Sequence, residues 1–297
     1  MSGEPMASWP ALSPYAKTFD SRALGRLFYY DSSSPKARTI VLIHGLGDEA
    51  DSWRHLFPLL KKDARLLALD LPGFGRSVPV KRVSLGYCAD AVLGLLAEEG
   101  IERATLVGSS LGAAVAQLAA MRDEERVAAM ALVDGGIPGL EAARGAWRML
   151  APGIGERSYL SLRGKADAAY ASLAPYYADI AALGEEDRAF LRVRVEERVE
   201  SDGQMRAYFS LLRSLALWAG IYKGLFTKSL AAFQGPVLAA WGEKDRVAPP
   251  SAADRLVGIA QHGTKLVIAG AGHLPQQEKP EPLAEAIAEL AVADGDH

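Results

Sequence analysis

Short runs of aliphatic and β-branched residues alternate along the chain with segments of helical periodicity. The runs that predict strands are residues 23–30, 39–43, 65–69, 104–107, 128–133, 236–241 and 265–269. The segments that predict helices are residues 53–61, 85–99, 111–121, 251–259 and 281–291. This alternation indicates an α/β fold with a mostly parallel, doubly wound sheet of about eight strands, covered by helices on both faces. In such sheets the ligand site lies beyond the carboxyl ends of the strands.

The alternation stops between about Ile137 and Gln234. This segment has helical periodicity throughout, is rich in aromatic residues, and is flanked by Gly/Pro turns at 135–139 and 234–236. It predicts a helical cap, residues 137–234, inserted into a core domain made of residues 1–136 and 235–297. Most of the aromatic side chains are expected to pack within the cap and against the core, and a minority to line a pocket.

The segment Gly108-Ser109-Ser110-Leu111-Gly112 lies between a predicted strand and a predicted helix. This is the context of a nucleophile elbow, in which the central serine of G-x-S-x-G occupies a sharp, strained turn. The flanking glycines leave out side chains that would collide with the neighbouring strand and helix. Ser110 is therefore the predicted nucleophile. The N–H of Leu111, at the start of the helix, is a predicted donor to an oxyanion.

A serine hydroxyl becomes a good nucleophile when a histidine, itself held by a carboxylate, accepts its proton. His273 follows the predicted strand 265–269 on a glycine-rich loop, and Asp245 closely follows the strand 236–241. These residues supply a base and an acid, so the chain order is Ser, Asp, His.

Two further segments have a characteristic pattern. Residues 40–47, Ile-Val-Leu-Ile-His-Gly-Leu-Gly, read as a strand followed by an HG loop, and residues 70–77, Asp-Leu-Pro-Gly-Phe-Gly-Arg-Ser, read as D-x-P-G-x-G-x-S. Together with the elbow, residues 242–245 and Gly272-His273, they occur in the order found in the α/β-hydrolase fold family. From about residue 20 to about residue 292 the chain resembles a cap-bearing, esterase-like serine hydrolase of this family.

The resemblance implies a role for each matching residue. Ser110 would be the nucleophile, His273 the general base and then the general acid, and Asp245 the carboxylate that orients the histidine. The backbone N–H groups of Leu46 and Leu111 would form the oxyanion hole.

Other residues near the predicted strand ends have alternative interpretations. Asp134 is the alternative acid, because some members of the family take their carboxylate from the strand that ends at Val133. His44 is expected to shape the oxyanion loop through backbone hydrogen bonds, as the family's histidine usually does, and not to transfer protons. Asp48 and Asp70 are expected to cap turns or to form local salt bridges.

The expected reaction is hydrolysis of a small or medium carboxylic ester through an acyl-enzyme, in an apolar pocket under the cap. A carbon–carbon bond hydrolase acting on vinylogous diketones is the enzymatic alternative. Members of that group typically carry asparagine before the nucleophile, where this chain has Ser109. Thioesters and lactones share the same oxyanion step and stay open as substrates. An alternative of another class is a small-molecule receptor on the same scaffold.

Composition excludes several classes. The chain of 297 residues has 33 Lys plus Arg against 36 Asp plus Glu, a net charge of −3, which gives no electrostatic case for binding nucleic acid or an anionic membrane. The single cysteine, Cys88, excludes an internal disulfide and fits a reducing compartment. Residues 1–14 lack the apolar segment of a signal peptide, and no run approaches the roughly 20 apolar residues of a membrane span. We therefore expect a cytoplasmic protein whose partner is a small apolar ester-like substrate. No metal or organic cofactor is called for, and the oligomeric state stays open.

Overall fold

The computed structural model describes residues 6–21, 23–34, 38–80, 82–139 and 146–293. Within them eight strands form one sheet: β1 (Ala16–Ser21), β2 (Gly25–Asp31), β3 (Thr39–Ile43), β4 (Arg65–Leu69), β5 (Ala104–Ser109), β6 (Val127–Val133), β7 (Val237–Gly242) and β8 (Gly263–Ile268). Their order across the sheet is β1-β2-β4-β3-β5-β6-β7-β8. The β1–β2 and β2–β4 pairs are antiparallel, and all pairs from β4 to β8 are parallel. The predicted sheet is thereby confirmed.

The α-helices among the described residues are α1 (Leu56–Leu60), α2 (Leu85–Glu98), α3 (Leu111–Arg122), α4 (Ala146–Leu150), α5 (Ile154–Leu160), α6 (Ala166–Ala171), α7 (Glu185–Glu200), α8 (Asp202–Ile221), α9 (Lys223–Ala232), α10 (Ser251–Val257), α11 (Pro275–Glu278) and α12 (Pro280–Ala293). Short 3₁₀ helices occupy Ser13–Tyr15, Ala50–Trp53, Glu124–Arg126, Ala174–Tyr176 and Ile180–Ala182. All helices from α4 to α9 fall between β6 and β7, and we refer to them as the inserted helices.

The two faces of the sheet carry two separate hydrophobic clusters. Val41 and Ile43 of β3 point into the cluster that α2 and α3 cover, whereas Ile40 and Leu42 point into the cluster that α1 and α12 cover. Successive side chains of a strand point to opposite faces, so a strand covered on both sides must be apolar at every position. All five residues of β3 are buried, which explains why the continuous apolar runs predicted the central strands well.

The edges of the sheet were harder to predict. The sequence gives no signal for β1, because Phe19 is its one buried residue and the other positions are exposed or half-buried. The helix expected at residues 53–61 is instead a 3₁₀ turn, Ala50–Trp53, followed by the short α1. β1 buries few side chains, so hydrophobic periodicity reports it weakly. The segment from Ala50 to Leu60 is mostly buried, so its apolar pattern reported the burial and not the break between the two short helices.

The inserted helices pack on the sheet's helical layer through α8. The Oγ of Ser210 donates to the carbonyl of Val83 at 2.7 Å, and the N–H of Leu85 donates to Ser214 Oγ at 3.0 Å. The backbone entering α2 is therefore bonded to α8. These contacts hold α8 against the segment that leads into α2.

Candidate active site

Ser110 lies in a strained turn between β5 and α3. Its backbone angles are φ +54° and ψ −113°, in a region that costs a non-glycine residue about 1–3 kcal/mol. A Cβ atom on Gly112 would lie 2.2 Å from the carbonyl oxygen of Ile43, and one on Gly108 would lie 2.2 Å from that of Gly112. Glycine is therefore required at both flanking positions. The turn lifts the Ser110 side chain off the carboxyl edge of the sheet.

Ser110, His273 and Asp245 form one chain of hydrogen bonds. His273 Nε2 lies 3.0 Å from Ser110 Oγ, and His273 Nδ1 lies 2.8 Å from Asp245 Oδ2. The other oxygen of Asp245 accepts from the N–H groups of Val247 at 2.7 Å and Ala248 at 3.0 Å. Asp245 thus accepts from three donors, which fix the position of its carboxylate. With Nδ1–H donated to this carboxylate, Nε2 is left to accept the serine proton.

The loop that carries His273 is held from two sides. The His273 N–H donates to the carbonyl of Tyr176 at 2.9 Å. Glu278, in α11, accepts from the N–H groups of Gly272 at 2.7 Å and Ala178 at 2.8 Å. Burial raises the pKa of Glu278 despite these bonds. Glu278 therefore joins the histidine loop to the segment before α7, a contact that no sequence motif indicated.

Asp134, the alternative acid, lies beside the same chain but is not bonded to the histidine. It follows β6 with φ +48°, and its Oδ1 accepts from the N–H of Gly242 at 2.9 Å. Burial, and then the charge of Asp245, raise the pKa of Asp134 well above its usual range. Of the two candidate acids, Asp245 is the one that contacts His273.

Among the described residues, one group of three side chains with metal-ligating atoms lies close together. One ligand atom each of Asp134, Asp245 and His273 lie within 4.8 Å of one another. Both nitrogens of His273 already contact Ser110 and Asp245, so a metal ion here would compete with the hydrogen-bonded chain.

The loop after β3 lies against Ser110. A Cβ atom on Gly45 would lie 3.4 Å from Ser110 Cβ. His44 holds this loop from beneath: its Nδ1 contacts the carbonyl of Gly45 at 2.7 Å, and its Nε2 accepts from the N–H of Leu71 at 2.9 Å. Burial lowers the pKa of His44, which keeps it neutral and consistent with these two bonds. Leu46 follows Gly45 in this loop, after the carboxyl end of β3.

Leu111 is the first residue of α3. The first N–H groups of a helix have no acceptor inside the helix and carry the positive end of its dipole. The structure thus brings the N–H groups of both predicted donors, Leu46 and Leu111, to the same end of the sheet as Ser110.

A buried ionic cluster joins this loop to α7. Arg194 Nε donates to Glu49 Oε1 at 2.9 Å, and Arg198 Nη2 contacts Glu49 at 2.8 Å and Asp48 at 2.7 Å. Burial alone would raise the pKa of Glu49, but the charges of Arg198 and Arg194 hold it well below its usual range. Arg194 also pairs with Glu197 at 2.7 Å, so three acidic side chains face two basic ones and the cluster carries no net positive charge.

Two tyrosines of the inserted region approach the site. The Tyr176 ring lies 5.9 Å from the His273 ring, measured between centroids. A Cβ atom on Gly47 would lie 3.0 Å from Tyr208, and the hydroxyl groups of Tyr176 and Tyr208 are hydrogen-bonded to each other. Burial raises the pKa of both hydroxyls, so both are neutral. The sequence showed these residues only as members of an aromatic-rich segment, because helical periodicity does not say which rings face the serine.

Comparison with known proteins gives the class. A family model described as alpha/beta hydrolase fold matches residues 38–280. The chain therefore belongs to the α/β-hydrolase fold family, and it is a hydrolase of that family.

Particular relatives span nearly the whole chain. A pimeloyl-acyl-carrier-protein methyl ester esterase of Edwardsiella ictaluri is 29% identical over 273 residues, which cover 90% of this chain and 98% of the esterase. A 2-hydroxy-6-oxononadienedioate/2-hydroxy-6-oxononatrienedioate hydrolase of Pseudomonas putida is 29% identical over 86% of this chain and 87% of its own. Among solved structures, Cfl2 of Burkholderia cenocepacia superposes with a TM-score of 0.77 at 26% identity, covering 92% of this chain and 94% of Cfl2. Across the described residues, none of the helices combines the length and apolar character needed to cross a bilayer.

Proposed function

We propose that this protein is a serine hydrolase that cleaves a small or medium carboxylic ester through an acyl-enzyme. The observation that carries the proposal is the continuous hydrogen-bonded chain from Ser110 Oγ through His273 to Asp245. A serine bonded to a histidine that is bonded to an aspartate activates the serine hydroxyl in hydrolases of unrelated folds. Ser110 is the proposed nucleophile, His273 the general base and acid, and Asp245 the orienting carboxylate.

The proposal assigns one group to each step of the reaction. As the Ser110 oxygen attacks the ester carbonyl carbon, its proton passes to His273 Nε2, and Asp245 stabilises the imidazolium. The developing oxyanion would accept from the N–H groups of Leu46 and Leu111, a kind of interaction worth about 3 kcal/mol per donor. When the intermediate collapses, His273 returns the proton to the leaving alcohol. A water molecule, activated by the same imidazole, then releases the acid and restores Ser110.

The inserted helices, in this proposal, act as the lid of the site. They bring Tyr176 beside His273 and Tyr208 beside Gly47, so two aromatic rings lie near the residues proposed to react. Aromatic walls with a few polar groups suit a small substrate of low charge. Excluding water there would strengthen the hydrogen bonds to the oxyanion.

The charge balance near the oxyanion loop favours an uncharged ester. The two arginines of α7 already pair with Glu49, Asp48 and Glu197, which leaves no net positive charge in this cluster to attract a dicarboxylate. The Edwardsiella relative is named for the hydrolysis of a methyl ester, and it supports an ester as the substrate. Ser109, which precedes the nucleophile, accepts from Gln276 Nε2 at 3.2 Å and is buried.

The second candidate is cleavage of a carbon–carbon bond in a vinylogous diketone. The observation that favours it is the similarity to the Pseudomonas putida hydrolase, whose name gives a 2-hydroxy-6-oxo dienedioate as substrate. Measuring kcat/KM for a panel of aryl and alkyl esters, thioesters and 2-hydroxy-6-oxo-dienoates separates the two candidates. We expect the highest value for an ester; a dienoate turned over far faster than every ester would replace the first candidate by the second.

The catalytic assignment is tested with Ser110→Ala and a matched control, Ser109→Ala. Ser110→Ala is expected to lose turnover by at least about 10³-fold and to lose labelling by a fluorophosphonate. Ser109→Ala removes the neighbouring hydroxyl and keeps the nucleophile, so it should still be labelled. Full activity in Ser110→Ala would contradict the assignment.

The same assay on the wild type separates a hydrolase from a small-molecule receptor. A receptor on this scaffold would give at most one slow cycle per molecule, whereas the hydrolase gives sustained turnover.

A further inference from the structure

Two carboxyl groups meet behind the histidine. Asp134 follows β6 and Asp245 follows β7, which are neighbours in the sheet. The two side chains are completely buried and in hydrogen-bonding contact with each other. The serine mechanism described above uses Asp245 and assigns no part to Asp134.

Counting donors shows which carboxyl group holds a proton. Asp245 accepts from His273 on one oxygen and from two backbone N–H groups on the other. Asp134 accepts from Gly242 N–H on Oδ1, and its Oδ2 is buried without a donor among the described residues. Two ionised carboxylates in buried contact repel each other strongly, so one of the pair stays protonated. Three N–H groups point at Asp245 and none points at Asp134 Oδ2, so the proton of the pair is assigned to Asp134.

We propose that Asp134 is a neutral carboxylic acid whose hydroxyl donates a hydrogen bond to the Asp245 carboxylate, and that it positions this carboxylate for His273. The proposal rests on the proposed function only in that Asp245 orients the histidine. The raised pKa of Asp134, which burial and the neighbouring Asp245 charge produce, agrees with it. In the described structure the titratable groups facing Asp134 are Asp245, His273 and Glu278, so no cation offsets a second negative charge.

The consequence concerns the charge behind the imidazole. A hydrogen bond from neutral Asp134 fixes the orientation of the Asp245 carboxylate without adding a second negative charge. If Asp134 were ionised, His273 would face two negative charges, and its protonated, inactive form would persist to higher pH. Asp134 is thus a positioning residue that acts through Asp245.

A direct test is the infrared difference spectrum at neutral pH between the wild type and Asp134→Asn. We expect the carbonyl band of a buried protonated carboxylic acid in the wild type and its loss in the variant. The band should persist in Ser110→Ala, because it does not depend on turnover. Absence of the band in the wild-type protein would overturn the inference about Asp134 and leave the serine mechanism standing. Full activity in Ser110→Ala would overturn the serine mechanism and leave the protonated Asp134 standing.

The pH profile of kcat/KM gives a second, independent readout. Asparagine is neutral and keeps an N–H donor, so in Asp134→Asn we expect the acidic limb to stay where it is, with kcat lowered a few-fold. Asp134→Ala removes the donor, so Asp245 becomes a stronger partner for the imidazolium of His273. The acidic limb of the kcat/KM profile of this variant should therefore move up by about half a pH unit to one unit. A downward shift of about one unit in Asp134→Asn would show that a negative charge had been removed and would overturn the proposal. Asparagine nearly matches the shape of aspartate, so this arm remains informative if the alanine variant fails to fold.

Discussion

Arg194 of α7 donates from Nε to Oε1 of Glu49 at 2.9 Å, and only 1% and 0% of these two side chains is exposed. Glu49 belongs to the loop that carries Leu46, and Arg194 belongs to the inserted helices. An ion pair that is fully removed from water therefore fixes the proposed lid to the proposed oxyanion loop. Such a pair depends on both partners, because either one alone is a buried, uncompensated charge.

Replacing Arg194 should therefore cost both stability and activity. In Arg194→Met the aliphatic stem is kept and the charge is lost, leaving Glu49 with only Arg198. We expect the free energy of unfolding, measured in urea, to fall by about 3 kcal/mol, in the range for breaking one side of a buried pair. The loop should also loosen, so kcat should fall more than KM rises.

Arg192→Met is the control on the same helix. Arg192 pairs with Asp167, but 45% and 95% of their side chains is exposed, and exposed pairs contribute about 0–1 kcal/mol. If both variants lost equally little stability, the idea that the buried pair secures the lid would fail.

Gly47 offers a test of the loop itself. Its φ is +73°, and a Cβ atom there would lie 3.0 Å from Tyr208. Gly47→Ala should push the tyrosine away and tilt the neighbouring Leu46 N–H. Losing one oxyanion donor typically lowers kcat about 10²–10³-fold, so we expect kcat to fall by about tenfold or more in steady-state kinetics.

Gly164→Ala separates backbone strain from the contact with Tyr208. Gly164 has a similar φ of +67° but no atom within 4 Å of the added Cβ. This variant should lose some stability and keep its activity. Equal activity in the two variants would argue against a role for the 45–47 loop in catalysis.

Glu278 should matter for the placement of His273. In Glu278→Gln one of the two oxygens that accept from Gly272 and Ala178 becomes an NH₂ group facing an N–H. We expect kcat to fall several-fold, since the His273 loop shifts, with little change in KM for a neutral ester. Glu243→Gln is the matched control: Glu243 accepts from Gly270 N–H at 2.9 Å on the same loop but is exposed. An effect of the same size in the control would show that any loosening of this loop lowers kcat, and would contradict a specific role for Glu278 in placing His273.

Stability at low pH should depend on Asp31. Burial would raise the pKa of Asp31, but hydrogen bonds from Arg65 (2.8 Å) and Lys17 (2.5 Å) outweigh it, and the pKa lies well below its usual range. A lowered folded-state pKa stabilises the protein above the unfolded pKa of about 4, and this contribution is lost as pH falls further. Urea unfolding between pH 7 and pH 3 should therefore show a steeper loss in the wild type than in Asp31→Asn.

Asp20→Asn is the control on the same β1–β2 hairpin. Asp20 pairs with Arg26 at 3.1 Å, but its side chain is 72% exposed. Its pH dependence should follow the wild type to within about 0.5 kcal/mol. Parallel curves for Asp31→Asn and the wild type would contradict the assignment of this acid sensitivity to Asp31.

The sequence by itself determined the central sheet and the position of the elbow. The bounds of β3 and β4 coincide with the predicted runs, because a strand covered on both faces must be apolar at each position. The turn at Ser110 could also be predicted from the sequence, since a sharp strand-to-helix turn restricts its flanking residues to glycine. The places of Asp245 and His273 at strand ends also followed from the order of strands along the chain.

Only the tertiary structure decided which partners these residues have. Asp134 and Asp245 both follow strands that end at the same edge, and the bond to His273 falls on Asp245. Tyr176, Glu278 and Arg194 reach the site from parts of the chain that no local pattern connects with it. Local periodicity reports which side of an element is buried, whereas the identity of the neighbour depends on how distant elements pack against each other.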